Sequence, residues 1–298
     1  MNQILVELVK LANLVVTLTR AMASVGRIRT VMDTETSMKF PEVSSASWTP
    51  SEDAVVFSHV DMRYASSGGE SLTDISFRVR TGETVGIIGS TGSGKTTLVQ
   101  LIPRFYDASA GTVTLMGQPI SSWSREDLRR HIAIVMQRPQ LFSGTIRENV
   151  TWGRPDASDE EIWQALDMAQ ATDMVRGKKN GLDEMLEQGG RNLSGGQKQR
   201  LTIARALIAR PDILILDDSS SALDYATDAA LRRALRELKN TTLFIVSQRT
   251  SSIRHCHHIL VLDEGHLVGD ATHEELLASC PVYREIHESQ FQKGDARA

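Results

Sequence analysis

The sequence predicts an α/β fold whose parallel sheet carries a phosphate-binding loop, and three observations predict it. Gly89-Ser90-Thr91-Gly92-Ser93-Gly94-Lys95-Thr96-Thr97 fits the pattern G-x-x-x-x-G-K-[ST] from Gly89 to Thr96. An apolar run fit for a buried strand, Thr84-Val85-Gly86-Ile87-Ile88, precedes it, and Thr97 to Ile102 reads as the helix that follows. Farther along, short apolar runs alternate with helical periodicity, and one of them ends in two carboxylates, Asp217-Asp218. Each position of the loop has a physical role. Glycines let successive N–H groups turn toward phosphate oxygens. Lys95 brings a flexible point charge to the β- and γ-phosphates, and the Thr96 hydroxyl can ligate Mg²⁺. The positive end of the following helix faces the anion. A plain glycine-rich turn is the competing reading, and the order strand, loop, helix favours nucleotide binding over it.

The 298 residues carry 33 basic and 37 acidic side chains, a net charge of −4 without long blocks of one sign. That balance gives no electrostatic case for nucleic acid. Cys256 and Cys280 lack metal-ligand spacing and read as structural thiols of a reducing compartment. No run reaches the ~18 to 20 apolar residues that cross a bilayer, and no cleavable leader is evident.

From the start, Ile4 to Leu18 is apolar but interrupted by Glu7, Lys10 and Asn13, and it continues as one long helix to about Asp33. It reads either as an amphipathic surface helix or as the cytoplasmic end of a membrane-spanning one. Residues 34–53 are rich in Ser, Thr, Pro and acidic side chains, with Pro41 and Pro50 marking a linker. Ala54 to Val60 and the alternating Ile75-Ser76-Phe77-Arg78-Val79-Arg80 read as strands, with turn material at Ser66-Ser67-Gly68-Gly69. Tyr64 stacks on a base if exposed and belongs to the core if not.

Ile132 to Met136 is the next strand, followed by Gln137. The stretch from Pro139 onward breaks the alternation as a helical insertion, in which Ser158 and Glu161 form a capping box for Asp159 to Ala171. Leu193-Ser194-Gly195-Gly196-Gln197 opens the helix Lys198 to Ala209, a second helix start able to bind an anion. Ile213 to Leu216 is a buried strand whose end, Asp217-Asp218, lies where α/β folds place Mg²⁺ ligands and bases. Thr242 to Val246 is another strand, ending at Ser247-Gln248. Ile259 to Leu262, Asp263-Glu264-Gly265 and His266 to Val268 form a closing hairpin before a helical C-terminus.

In this order the residues resemble the nucleotide-binding domain of ATP-binding cassette (ABC) transporters of the exporter type, over roughly residues 54 to 290. Tyr64 matches the aromatic residue that stacks on adenine, Gly89 to Thr97 the Walker A loop, and Gln137 the Q-loop glutamine that touches Mg²⁺. Leu193 to Gln197 match the signature, Asp217 the Walker B aspartate, and Ser221-Ala222-Leu223-Asp224 the D-loop. The resemblance implies a P-loop NTPase, RecA-like parallel core with an antiparallel β-subdomain and an inserted α-helical subdomain at about 140–210. It implies ATP and Mg²⁺ as cofactors, with Thr96, Gln137 and Asp217 around the metal. It further implies that 1–33 is the C-terminal part of a last transmembrane helix, 34–53 a linker and 54–298 the cassette. The expected setting is the cytoplasmic face of the cell membrane, joined to a transmembrane domain.

Two positions depart from the family. Asp218 stands where a Glu acts on the attacking water, and Gln248 replaces the switch histidine that contacts the γ-phosphate. Asp is one methylene shorter, a displacement of ~1 Å that can cost ~100-fold in rate. Gln cannot carry a positive charge. With Lys95 intact, the expectation is a site that binds ATP firmly and hydrolyses it slowly. This resembles the degenerate subunit of a heterodimeric exporter whose partner half-transporter keeps both Glu and His. Ser194 to Gln197 would then complete the partner's hydrolytic site. The loop Glu187 to Asn192 departs from the Gly-Glu-Arg-Gly run usual in exporters. An ATP-binding regulatory or structural module without turnover is the alternative. Lys95 and Ser194 are only 99 positions apart, too close for the coiled coil of chromosome-structure ATPases.

Overall fold

Val85, Ile87 and Ile88 are fully buried because their strand lies inside a sheet covered on both faces, which is why it reads as a continuous apolar run. The computed structural model describes residues 2–34, 38–49, 51–64, 69–219 and 222–295. It divides into two units, residues 1–39 and 40–298. In the first, helix α1 spans Asn2–Met32, with Lys10 paired to Glu7 at 2.9 Å and threonine hydroxyls bonded back to carbonyls one turn earlier. Among the described residues no helix is long and apolar enough to cross a membrane.

The second unit runs in order through β1 (Asp53–Met62), β2 (Leu72–Arg80), β3 (Thr84–Gly89), α2 (Lys95–Leu101), β4 (Ala110–Leu115), β5 (Gln118–Pro119), α3 (Arg125–His131) and β6 (Ile132–Val135). Next come β7 (Gly144–Thr145), α4 (Ile146–Val150), α5 (Asp159–Met168), α6 (Thr172–Arg176), β8 (Met185–Leu186) and α7 (Gly195–Ile208). Last are β9 (Ile213–Asp217), α8 (Tyr225–Leu235), β10 (Thr242–Val246), α9 (Thr250–Ile253), β11 (His258–Asp263), β12 (His266–Ala271), α10 (His273–Ser279) and α11 (Pro281–Asp295).

Six strands form the main sheet in the order β12-β11-β3-β10-β9-β6, parallel except for the β12 hairpin at its edge. The parallel core, the antiparallel sheet β2-β1-β4-β5 and the intervening helices match the predicted α/β architecture. Apolar side chains of the two sheets share one core, with Phe57 stacked on Phe77 at 4.5 Å. The helices between β6 and β9 bury a second cluster that includes Ile162, Leu166, Val175 and Leu201.

Several local readings hold. The capping box of Ser158 and Glu161 is formed, and Glu264-Gly265 turns the β11–β12 hairpin. Others shift. The phosphate-loop helix begins at Lys95, earlier than the apolar pattern indicated. The helix from Asp159 ends at Met168, because Gln170 adopts φ 58° and a second short helix follows. Strand β4 and helix α8 have no counterpart among the elements that the sequence pattern predicts. Part of the 34–53 stretch is docked: Phe40, Ala46 and Trp48 pack on the core, and Trp48 stacks on His131 at 4.1 Å. Pro50 and the turn residues Ser66, Ser67 and Gly68 lie outside the described residues.

Candidate nucleotide site

Gly89 ends β3 where no side chain fits, since a Cβ there would stand 2.0 Å from the Leu262 carbonyl oxygen. Gly94, at φ 97°, turns the chain into α2, and its Cβ would meet Leu72 at 2.6 Å. These constraints curl the loop back over its own lysine. Lys95 Nζ donates to the carbonyls of Gly89 at 2.9 Å and Ser90 at 2.6 Å, and lies 3.3 Å from Ser93 Oγ. Burial pulls its pKa below the ordinary lysine value, while the carboxylates of Asp218 and Asp217 act in the opposite sense.

The loop opens on a cavity of about 510 Å³ that also receives Thr96, Gln137, Asp217, Asp218 and Gln248. These residues come from four places in the sequence. The parallel strands bring them together, because β3, β9 and β10 end on the same edge. Thr96 Oγ1 donates to Asp217 Oδ1 at 3.2 Å. Asp218, at φ 45°, makes the left-handed turn out of β9, a conformation that Asp tolerates better than most side chains. Its Oδ2 accepts from Gln137 Nε2 at 3.3 Å and from Gln248 Nε2 at 3.4 Å. Burial raises the pKa of both aspartates, and for Asp217 the neighbouring Asp218 adds to it.

The donor set fits Mg²⁺ with a nucleotide. Mg²⁺ prefers oxygen ligands and is held by one or two carboxylates together with water and substrate phosphates. A hydroxyl and a carboxylate stand 3.2 Å apart beside the ammonium of Lys95. Among the described residues no group of three His, Cys, Asp or Glu could hold an ion by itself. Bound there, Mg²⁺ would neutralise charge on the phosphates.

Tyr64 is partly buried. Its hydroxyl is 3.1 Å from Thr97 Oγ1 and its ring meets Tyr106 edge-on at 5.0 Å, beside the loop rather than along the cavity. The signature lies elsewhere. Ser194 caps α7, accepting from Gln197 N at 3.3 Å, while the Gln197 side chain accepts from Ser194 N. The cap uses the hydroxyl as an acceptor and leaves its O–H, with the N–H groups of Gly195 and Gly196, to donate outward. The D-loop packs on this helix start: a Cβ on Gly196 would come within 3.0 Å of the Ala222 carbonyl. Leu223 is buried, and Asp224 caps α8 through Thr227 N at 2.9 Å. Ser221, the first D-loop residue, lies outside the described residues.

Sequence reasoning missed Glu70, Ser71 and Glu264, which also line the cavity. Gly265 O accepts from Thr73 N at 2.9 Å and draws β2 against the β11–β12 turn. No spacing rule exposes such a contact between remote segments.

Residues 72–221, about half of the chain, match the family model described as ABC transporter. Over 278 residues the chain is 44% identical to the uncharacterized ABC transporter ATP-binding protein YfiB of Bacillus subtilis, covering 93% of this chain and 48% of that protein. It is 44% identical to the probable multidrug resistance ABC transporter ATP-binding/permease protein YheI of the same organism, covering 91% of this chain and 46% of that one. A solved structure of a bacterial Atm1-family ABC exporter with ATP bound superposes with a TM-score of 0.84 at 32% identity, covering 92% of this chain and 48% of that one. The chain spans about half the length of the curated relatives it matches.

Proposed function

Since the chain belongs to the ABC transporter family, we propose that it is the ATP-binding cassette of an exporter and that its own site binds ATP firmly but turns it over slowly. One observation carries the second part. The carboxylate facing Lys95 belongs to the shorter Asp218, and the group reaching it from the loop after β10 is the uncharged amide of Gln248. An intact Walker A loop therefore faces a weakened hydrolytic end.

In this reading Lys95 and the loop N–H groups hold the phosphates, and Thr96, Gln137 and Asp217 surround Mg²⁺. Asp218 orients the attacking water from too far back, and Gln248 hydrogen-bonds the γ-phosphate without charge. The partner is a second half-transporter with Glu and His at these positions. Its ATP lies against Ser194, Gly195, Gly196 and Gln197 of this chain. The cassette works at the cytoplasmic face of the membrane, residues 1–33 being the end of the last transmembrane helix and 34–53 the connection. A drug- or lipid-type cargo is supported by relatives named as a probable multidrug resistance transporter and, at 38% identity, an ATP-dependent lipid A-core flippase of Xanthomonas oryzae.

The test is ATP turnover of the complex with its partner. Ser194→Ala should remove most of the turnover, and Lys95→Ala should remove less than the matching change in the partner. If Lys95→Ala abolished turnover while Ser194→Ala left it intact, the asymmetric reading would be wrong.

A further inference from the structure

At the opposite end of β3 and β10 from the phosphate loop lies a second cavity, of about 380 Å³, between α8, α9 and the beginnings of these strands. That volume falls in the ~300 to 1,000 Å³ range of small-molecule sites. Its floor is apolar, formed by Leu235, Leu243 and Ile245, and its rim is cationic, formed by Arg232, Arg236 and Lys239 with His255 and His257. No carboxylate lines it among the described residues.

The cations differ in availability. Arg232 is bound to Asp228 and donates to Ser252 Oγ at 2.6 Å, and its Nη1 is buried without a hydrogen-bond partner. Arg236 and Lys239 are exposed and have no ion pair among the described residues. His257 Nδ1 accepts from Thr84 N at 2.9 Å, which leaves its Nε2–H as a donor. The surplus of positive charge also registers on His255, whose pKa is lowered by burial and then by Arg236, Arg254 and Arg232. Two unpaired cations, one of them a guanidinium fork, above an apolar floor suit a tetrahedral or planar anion attached to an apolar body.

We propose that this cavity binds an organic phosphate, a phosphate monoester on an apolar ring or short chain, with Arg236 and Lys239 gripping the phosphate and Leu235, Leu243 and Ile245 receiving the body. The probe is phenyl phosphate, titrated calorimetrically into the full chain carrying Lys95→Ala, so that the ammonium of the phosphate loop does not compete. Saturable binding is expected, weakened at least ~10-fold when Arg236→Gln and Lys239→Gln are added, the scale of one lost charge-assisted contact. Both side chains are exposed, and an unchanged thermal midpoint in the glutamine variant shows that the fold is retained. Arg236→Glu with Lys239→Glu should remove binding altogether. Absence of saturable binding, affinity unchanged by either pair of substitutions, or inorganic phosphate binding as tightly as phenyl phosphate would each overturn the proposal.

Discussion

Gln248 Nε2 reaches Asp218 Oδ2 across 3.4 Å, and Gln137 Nε2 reaches the same oxygen across 3.3 Å. The loops after β10 and β6 thus converge on one carboxylate at the turn after β9. A side chain one methylene longer at 218 would carry its oxygens farther from the backbone in the cavity that Lys95 also lines.

Replacing Asp218 by Glu is therefore expected to raise ATP hydrolysis at this site, and adding Gln248→His to raise it further. The combined gain should reach the order of ~100-fold, the scale associated with a ~1 Å correction of a reacting group. Phosphate release by the complex, with the partner's own site disabled, reads the gain. If the double replacement gave no increase, the slow step would lie elsewhere than in these two side chains.

The raised pKa values of Asp217 and Asp218 make the site's response to pH predictable. Both are pushed above the ordinary value of 3.8, chiefly by burial. A raised carboxylate contributes stability that is complete below its unfolded pKa and is lost as pH rises through the folded one. The ligand-free protein should lose that contribution as the pair ionises. Mg²⁺ with ATP needs the ionised pair, so its stabilising effect should grow across the same window. Thermal midpoints with and without Mg·ATP should diverge as pH rises above 3.8, the ordinary value of these carboxyls. Chelating the metal, or Asp217→Asn, should flatten the divergence.

The phosphate loop was legible because its chemistry is local: a glycine pattern, a lysine and a hydroxyl within one turn of chain. Asp217 and Gln248 were legible because parallel strands deliver side chains to a common edge and the strands themselves read clearly. Glu70 and Glu264 were not, since they reach the cavity only through the close approach of β2 to the β11–β12 turn. Strand β4 is not legible, because its first three residues are exposed and its alternation is short. Ser194 and Asp224 show the opposite case. Their sequence context pointed to function, and the structure also gives each an ordinary task as a helix cap.

The Gln248 loop is held from behind by the last helix. Gln290 Oε1 accepts from Thr250 N at 2.9 Å and Thr250 Oγ1 at 3.1 Å, while its Nε2 donates to Gln248 O at 2.7 Å. Gln290→Ala should cost about 1 to 2 kcal/mol and speed amide exchange across residues 247–252. Gln290→Glu keeps the acceptor for Thr250 and loses only the donor to Gln248, so it should fall between the two. Exchange rates unchanged by Gln290→Ala would show that the loop holds itself.

Arg205 ties the Gln137 loop to the signature helix. From α7 its Nε donates to Asn149 O at 2.7 Å, Nη1 to Gln140 O at 2.8 Å and Nη2 to Asn149 Oδ1 at 3.0 Å, with the guanidinium over the Phe142 ring. Asn149 Oδ1 also accepts from Phe142 N at 2.9 Å, so both residues clamp one loop. A lysine at 205 keeps the charge but lacks the fork that spans these acceptors. Arg205→Lys should therefore destabilise the fold by about 2 kcal/mol, because the carbonyl and side chain of the buried Asn149 lose their charged partner. It should also weaken Mg²⁺-dependent ATP binding, because Gln137 heads the same loop. Combined with Asn149→Ala, the two losses should be less than additive by ~1 kcal/mol or more in denaturant unfolding, as for residues sharing one network. Strict additivity would mean that the two side chains act on the loop independently.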